Sequence, residues 1–237
     1  QVLQRGGNAV DAAVAIGAAL NVVKPHMSGM CGDGYILVYQ RETSEIKVVN
    51  CTGSAPFAAT REFYEKTGLP MHGIWSVSFQ WLLDGWAQAH QKYGVLSWGS
   101  LFDAAIDLSE NGFPVTHTLA KYIAATPGLQ QHSTSAAVFT RNGGILSGGL
   151  ILLQRDLARS FQRVANEGSE TFYSGSFGRD IIQFIHGQGG LLEQEDMTQH
   201  HSRWQDPISI TYRGYTVLEA PPNSSGHVLL QELKMLE

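Results

Sequence analysis

The chain has 237 residues, 43% of them hydrophobic and 16% charged, with a formal net charge of −5 when histidine is counted neutral. That length and composition give a substantial buried core, as one large domain or two small ones, and exclude an intrinsically disordered chain. The acidic balance and the scattered Lys and Arg exclude a surface that tracks phosphates, so no nucleic-acid partner is expected.

Gly6-Gly7-Asn8 leads into AVDAAVAIGAALNVV. This predicts a helix capped by Asn8, spaced by Val10, Ala13, Val14 and Leu20, and ended by Lys24-Pro25. Its alanines and Gly17 suit close packing on a sheet. The stretch Ala12 to Val23 is the longest apolar run; it falls short of a membrane span and is broken by Gly17 and Asn21, so no membrane is expected either. No signal peptide is visible, and the opening QVLQRGGNAVDAA reads as the middle of a domain. YILVYQ (35–40) and IKVVNC (46–51), joined by polar residues 41–45, predict a hairpin, and the nearly all-apolar first strand predicts cover on both faces. Helices are expected at 60–66, 81–93, 98–111, 115–125, 154–166, 177–187 and 194–200, with Gly68, Gly94, Gly112, Gly168 and Gly187 at or just past their ends. Asn142 to Gly149 reads as a loop. Strands 208–212 and 215–219 flank Arg213-Gly214 as a second hairpin, APPNSSGH makes a turn, and a last helix starts near 225. The order is helix, hairpin, many helices, hairpin, helix, which is α+β, or a layered sandwich with helices outside.

Cys31 and Cys51 are too few for a disulfide framework and read as reduced, which favours a cytoplasmic setting; periplasmic or secreted settings stay open. No CxxC or Cys/His spacing suggests a metal centre, and His200-His201, being adjacent, point in different directions on a helix. No metal and no cofactor are expected. SGMCGDG (28–34) could expose Cys31 as a nucleophile, but no base is committed to it; the other reading is a turn whose glycines let helix and sheet approach. The P-loop, GxGxxG, GxSxG and HExxH patterns are absent. Glu193, Glu195 and Asp196 read as helix-start residues. Asn50-Cys51-Thr52 and Asn223-Ser224-Ser225 match glycosylation sequons, patterns short enough to recur by chance. PPNSSGH (221–227) reads as an N-cap that also holds polar groups near a cleft. VVNCTGSAP (48–56) ends a strand in short hydrogen-bonding groups before Pro56, either as a polar turn or as the wall of a small pocket. The residues alone give a globular domain with a small polar pocket and no complete catalytic set.

Longer blocks resemble the γ-glutamyltranspeptidase family in its bacterial acylase-like branch. GGNAVDAAVA and KPHMSGMCGDGYILVY resemble the family's opening helix, turn and first long strand. LFDAAIDLSENGFPV, LLQRDLARSFQRVANEG, TFYSG, QGGLLEQEDM and YRGYTVLEAPPNSSGHVLLQELKMLE follow in the family's order, so that the resemblance spans essentially the whole chain. The resemblance implies an N-terminal-nucleophile hydrolase with a four-layer αββα sandwich. A precursor cuts itself into a large and a small subunit, and the new N-terminal Thr of the small subunit is the nucleophile, with its own α-amino group as base. On this footing residues 1–237 are a single domain portion, the large subunit shortened at both ends. No catalytic residue lies in this chain, and its partner is the small subunit.

The resemblance also assigns the pocket wall. Transpeptidases proper carry Arg and Glu in a D-x-R-E-x-A-P pattern, the Arg holding the substrate's α-carboxylate. Here Thr52 stands at the Arg position and Gly53 at the Glu position. Acylase-like members read N-x-S-G-R-A-P, and Ser54 stands at their Arg position. Both arginines are absent, so Asn50, Thr52 and Ser54 are the expected substrate-binding residues of a neutral wall. Ser76 to Gln80 replaces the family's V-P-G turn. The implied activity is hydrolysis or acyl transfer on a small amide, of γ-glutamyl, glutaryl or oxamate type. The alternative is a non-catalytic homologue or scaffold.

Overall fold

The computed structural model describes residues 1–78, 81–199 and 201–237. The expectations placed on Phe79, Gln80 and His200 lie outside them. In chain order come α1 (Ala9–Val23), β1 (Tyr35–Gln40), β2 (Glu45–Asn50), α2 (Arg61–Thr67), α3 (Leu82–Tyr93), α4 (Asp103–Glu110) and β3 (Phe113–Pro114). Then follow α5 (His117–Ala125), α6 (Ser133–Phe139), β4 (Thr140–Arg141), β5 (Gly144–Ile145), β6 (Ile151–Leu152), α7 (Arg155–Glu167) and α8 (Glu170–Tyr173). The last are α9 (Ser176–Gly187), α10 (Gln194–Gln199), β7 (Arg203–Gln205), β8 (Ile208–Tyr212), β9 (Tyr215–Glu219) and α11 (Gly226–Met235). The expected helices and both hairpins are present, and the α+β class is borne out. Among the described residues no helix is long and apolar enough to cross a membrane. The chain divides into two units, Gln1–Met30 with Tyr93–Phe177 and Cys31–Lys92 with Gly178–Glu237.

In the first unit α1 begins where its sequence says it should. Asn8 is extended, its Oδ1 accepts from the Val10 N–H at 2.9 Å and the Asp11 N–H at 3.1 Å, and the Asp11 carboxylate accepts from the Asn8 N–H at 2.9 Å. The two residues thus satisfy each other's orphan donors. The buried face differs from the expected stripe. Asp11, Val14, Ala15, Ala18, Asn21 and Val22 are buried, whereas Ala13 and Leu20 are exposed. The polar groups on the inner face find partners there, except the buried Asn21 amide nitrogen, which has none among the described residues. Asp11 Oδ2 also accepts from the Val95 and Leu96 N–H groups at 3.1 and 3.3 Å, and Asn21 Oδ1 accepts from the Ser28 hydroxyl.

Within this unit α1 packs on α4 and on the 3₁₀ turn Trp98–Phe102, and α4 packs on α7. The amphipathic α7 buries Ala158, Phe161 and Val164 at helical spacing. Gly99 is required at the crossing, since a Cβ there would lie 2.9 Å from the Ala165 carbonyl oxygen. The segment read as a loop, Asn142 to Gly149, starts as the turn of a small hairpin. Asn142 and Gly143 both have positive φ, 53° and 76°, between β4 and β5, the conformation that Asn-Gly favours.

The second unit holds an antiparallel sheet in the order β1-β2-β7. Val38 is buried on one face, while Leu37 and Tyr39 on the other are 49% and 60% exposed. The expected cover on both faces is therefore not supplied by this unit; the apolar run of β1 conceals an ordinary two-residue alternation. Cys51, just past β2, is fully buried against α3. A Cβ on Gly85 would fall 1.9 Å from its Sγ, so only glycine permits this approach. Asp84 of α3 accepts from the Ser202 N–H at 2.7 Å and the Gln88 amide at 2.9 Å, which ties the start of β7 to the helix. Asp196, at the start of α10, is buried and accepts from the Glu193 and Phe57 N–H groups, both at 2.7 Å. The β8–β9 hairpin turns through Arg213 and Gly214, both at positive φ, and α11 packs back on it.

Asp11→Ala is expected to leave several backbone N–H groups unsatisfied and to cost about 2–4 kcal/mol. A denaturant titration of the whole protein checks this; an unchanged midpoint would show that the cap is dispensable.

Candidate active-site cleft

The register of the three-stranded sheet sets the site. Tyr35 pairs with Asn50 and Asn50 with Arg203, so that one cross-strand row runs Tyr35–Asn50–Arg203. Opposite residues in an antiparallel pair share a face, as do residues two apart along a strand. Arg203 and Gln205 therefore face the same way as Asn50. Trp204 points to the other side, where the Lys92 ammonium lies 4.3 Å from its ring centroid. A cleft of about 320 Å³ opens on this face. Asn50, Thr52 and Gly53 line it from the end of β2, and His201, Arg203 and Gln205 from β7 and its approach. Pro222 and Asn223 close it.

Hydrogen bonds among short side chains knit the wall together. Asn223 Oδ1 accepts from the Tyr35 hydroxyl at 3.0 Å and from the Asn50 amide nitrogen at 3.1 Å. The Asn223 amide nitrogen donates to Thr52 Oγ1 at 3.0 Å, and of the two acceptors beside the Thr52 hydroxyl, Asn50 Oδ1 at 2.7 Å and Asn223 Oδ1 at 3.1 Å, the nearer takes its single proton. Asn50 Oδ1 also accepts from the Thr52 N–H at 3.0 Å. Asp33 Oδ1 accepts from the Gly53 N–H at 2.8 Å and holds the turn. Desolvation raises the Tyr35 phenol above its ordinary value, which keeps it a donor. Gln205 Oε1 is buried with no partner among the described residues.

The expected residues separate here. Asn50 and Thr52 line the cleft, whereas Ser54 is exposed and outside its lining. The segment 50–56 is neutral, as read, but Arg203 makes the cleft as a whole cationic. Both sequon asparagines, Asn50 and Asn223, belong to one network. Ser224, not Ser225, does the capping at α11, its Oγ accepting from the Gly226 N–H at 3.0 Å. His201, Arg203, Gln205 and Asn223 were not foreseen as lining residues. For Asn223 the signal was there, in the stiff PPNSSGH turn already marked as near a cleft.

Neither thiol suits nucleophilic attack. Burial pushes the Cys51 thiol up to about 12, against a smaller opposing effect of a hydrogen bond from Ser202. Cys31 is an exposed residue, and desolvation pushes its thiol up to about 11. The glycines beside it serve approach instead: the Gly32 carbonyl accepts from the Leu82 N–H at 3.1 Å, and a Cβ on Gly34 would meet Leu82 at 2.8 Å. Among the described residues no group of three or more His, Cys, Asp or Glu side chains could hold a metal ion.

The family model described as gamma-glutamyltranspeptidase matches residues 1–237. A glutathione hydrolase-like proenzyme of Bacillus subtilis, YwrD, is 36% identical over 246 residues, covering 100% of this chain and 46% of its own. The crystal structure of Helicobacter pylori gamma-glutamyltranspeptidase superposes with a TM-score of 0.93 at 30% identity, over 99% of this chain and 70% of that one. Cephalosporin acylase from Bacillus halodurans gives a TM-score of 0.92 at 33% identity, over 99% and 46%. The chain spans under half the length of the Bacillus subtilis relative and of the acylase.

At about pH 8, native protein should leave Cys51 unlabelled by iodoacetamide and label Cys31 slowly, while the unfolded chain labels at both. Mass mapping of the alkylated peptides reads this. Rapid labelling of native Cys51 would mean that its burial against Gly85 is wrong.

Proposed function

The chain belongs to the γ-glutamyltranspeptidase family and has its N-terminal-nucleophile hydrolase fold, and from there we propose that it is the large-subunit part of an amide hydrolase or acyltransferase working through an acyl-enzyme. One observation carries this reading: the Asn50–Thr52–Asn223 network walls a small polar cleft in which none of the described residues is an activated nucleophile. The Thr52 proton goes to an amide oxygen, which is no base, and a hydroxyl without a base does not attack an amide. The attacking group then comes from a separate segment, the N-terminal Thr of a small subunit from the same precursor. Relatives named proenzymes support this. With that subunit, residues 1–237 form part of a single domain.

In this mechanism the Thr hydroxyl adds to the substrate carbonyl, the amine leaves, and water or a second amine takes the acyl group. The chain's own part is to hold the acyl group. Asn50 and Thr52 present oriented polar atoms to it, and Ser54 stands beyond them at the solvent. A cleft of about 320 Å³ suits a short acyl group of γ-glutamyl, glutaryl or oxamate type. The absence of both arginines from 50–56 favours a second reading, a non-catalytic homologue.

The whole processed protein should hydrolyse a γ-glutamyl, glutaryl or oxamate amide, while residues 1–237 expressed alone should not. Thr52→Val should lower kcat/KM about tenfold by removing a bond in the wall, and Cys31→Ala should leave it unchanged. Turnover by residues 1–237 alone, or a large loss in Cys31→Ala, would overturn the assignment of the nucleophile. A processed whole protein inert toward all three amides would favour the non-catalytic reading.

A further inference from the structure

We propose that Arg203 is the specificity-determining residue of the cleft, recognising a carboxylate on the acyl group of the substrate. This deepens the reading of the cleft as the acyl-donor site and rests on it. Among the described lining residues Arg203 alone carries a permanent charge. Its place is set by backbone pairing: the β2–β7 ladder puts it directly opposite Asn50, on the cleft side of the sheet. Arg203 is exposed at the cleft, and among the described residues no carboxylate pairs with it. The acids of the neighbourhood are engaged elsewhere: Asp33 holds the Gly53 N–H, Asp84 holds the Ser202 N–H, and Asp206 pairs with Lys47 at 2.7 Å. The charge is therefore left facing the cleft.

Gln205, two residues along the same face of β7, has a buried amide oxygen without a partner. That oxygen has no surface toward the cleft and, as an acceptor, offers nothing to a carboxylate, so charge recognition on this side falls to Arg203. The β7 side of the cleft thus carries one fixed cation that no carboxylate among the described residues answers. The Asn50–Thr52–Asn223 wall, by contrast, is internally satisfied and neutral. The cleft has two chemically different sides, with β7 as the side that discriminates by charge. A planar guanidinium binds a carboxylate through two parallel N–H groups, which an ammonium cannot do.

The test uses the whole processed protein and two donors of matched length, glutaryl and pentanoyl p-nitroanilide, with the ratio of their kcat/KM values as readout. Wild type should prefer the glutaryl donor. Arg203→Gln should lower that ratio about tenfold, chiefly through KM, the effect of a charge-assisted contact reduced by solvent exposure. Arg203→Lys should give a value in between. Arg41→Gln, on the exposed β1–β2 turn, should keep the wild-type ratio. A folded Arg203→Gln enzyme with an unchanged ratio overturns the proposal while leaving the acyl-donor reading intact. Should Arg203→Gln fail to assemble, a wild-type ratio in Arg203→Lys overturns it equally. A wild type that cleaves neither donor removes the acyl-donor reading, and the role of Arg203 with it.

Discussion

Both strands of the β1–β2 hairpin meet the side chain of Asn223, which lies far along the chain from them. Its oxygen takes the Tyr35 and Asn50 donors, and its nitrogen supplies Thr52. Because one amide has both acceptor and donor, it orders the protons of every group around it. Of the two acceptors within reach of the Thr52 proton, Asn50 Oδ1 at 2.7 Å is nearer than Asn223 Oδ1 at 3.1 Å. The short side chains at the end of β2 could each rotate freely on an isolated turn. Closed by Asn223, they form a fixed surface, and fixed dipoles are what a site that binds a polar acyl group needs.

The electrostatics follow from that closure. A wall of amides and hydroxyls contributes direction without charge, so the charge selectivity of the cleft falls to what faces it across the sheet. The β2–β7 register puts Arg203 there. The thiols take no part: the Cys51 sulfur serves packing against Gly85, and Cys31 lies among glycines that let the segment 31–34 approach α3.

Much of the fold was legible because its signals are local. Asn8 before an alanine-rich run, Gly68 and Gly168 beyond their helices, and Arg213-Gly214 between alternating residues each act within a few positions. What was missed depends on distant pairing. β7 has three residues, too few to show alternation, and is a strand only because β2 lies beside it. Arg203 and Gln205 could not be read as site residues for the same reason. On α1 the apolar spacing misled, because Asp11 and Asn21 are buried by virtue of hydrogen bonds that composition does not reveal. The wall itself was legible in part: Asn50 and Thr52 face the cleft, while Ser54, two residues past Thr52, lies beyond the bend at the solvent. The Asn142-Gly143 turn carried a sufficient local signal and was passed over among neighbouring glycines.

The central claim is that the acyl group of the substrate lies between the Asn50–Thr52–Asn223 wall and β7. A crystal structure of the whole processed protein with glutarate bound tests it most directly. The account predicts one carboxylate within hydrogen-bond distance of the Arg203 guanidinium and the other end of the ligand against Thr52 and Asn50. Glutarate ordered elsewhere, with the wall and Arg203 untouched, would contradict it.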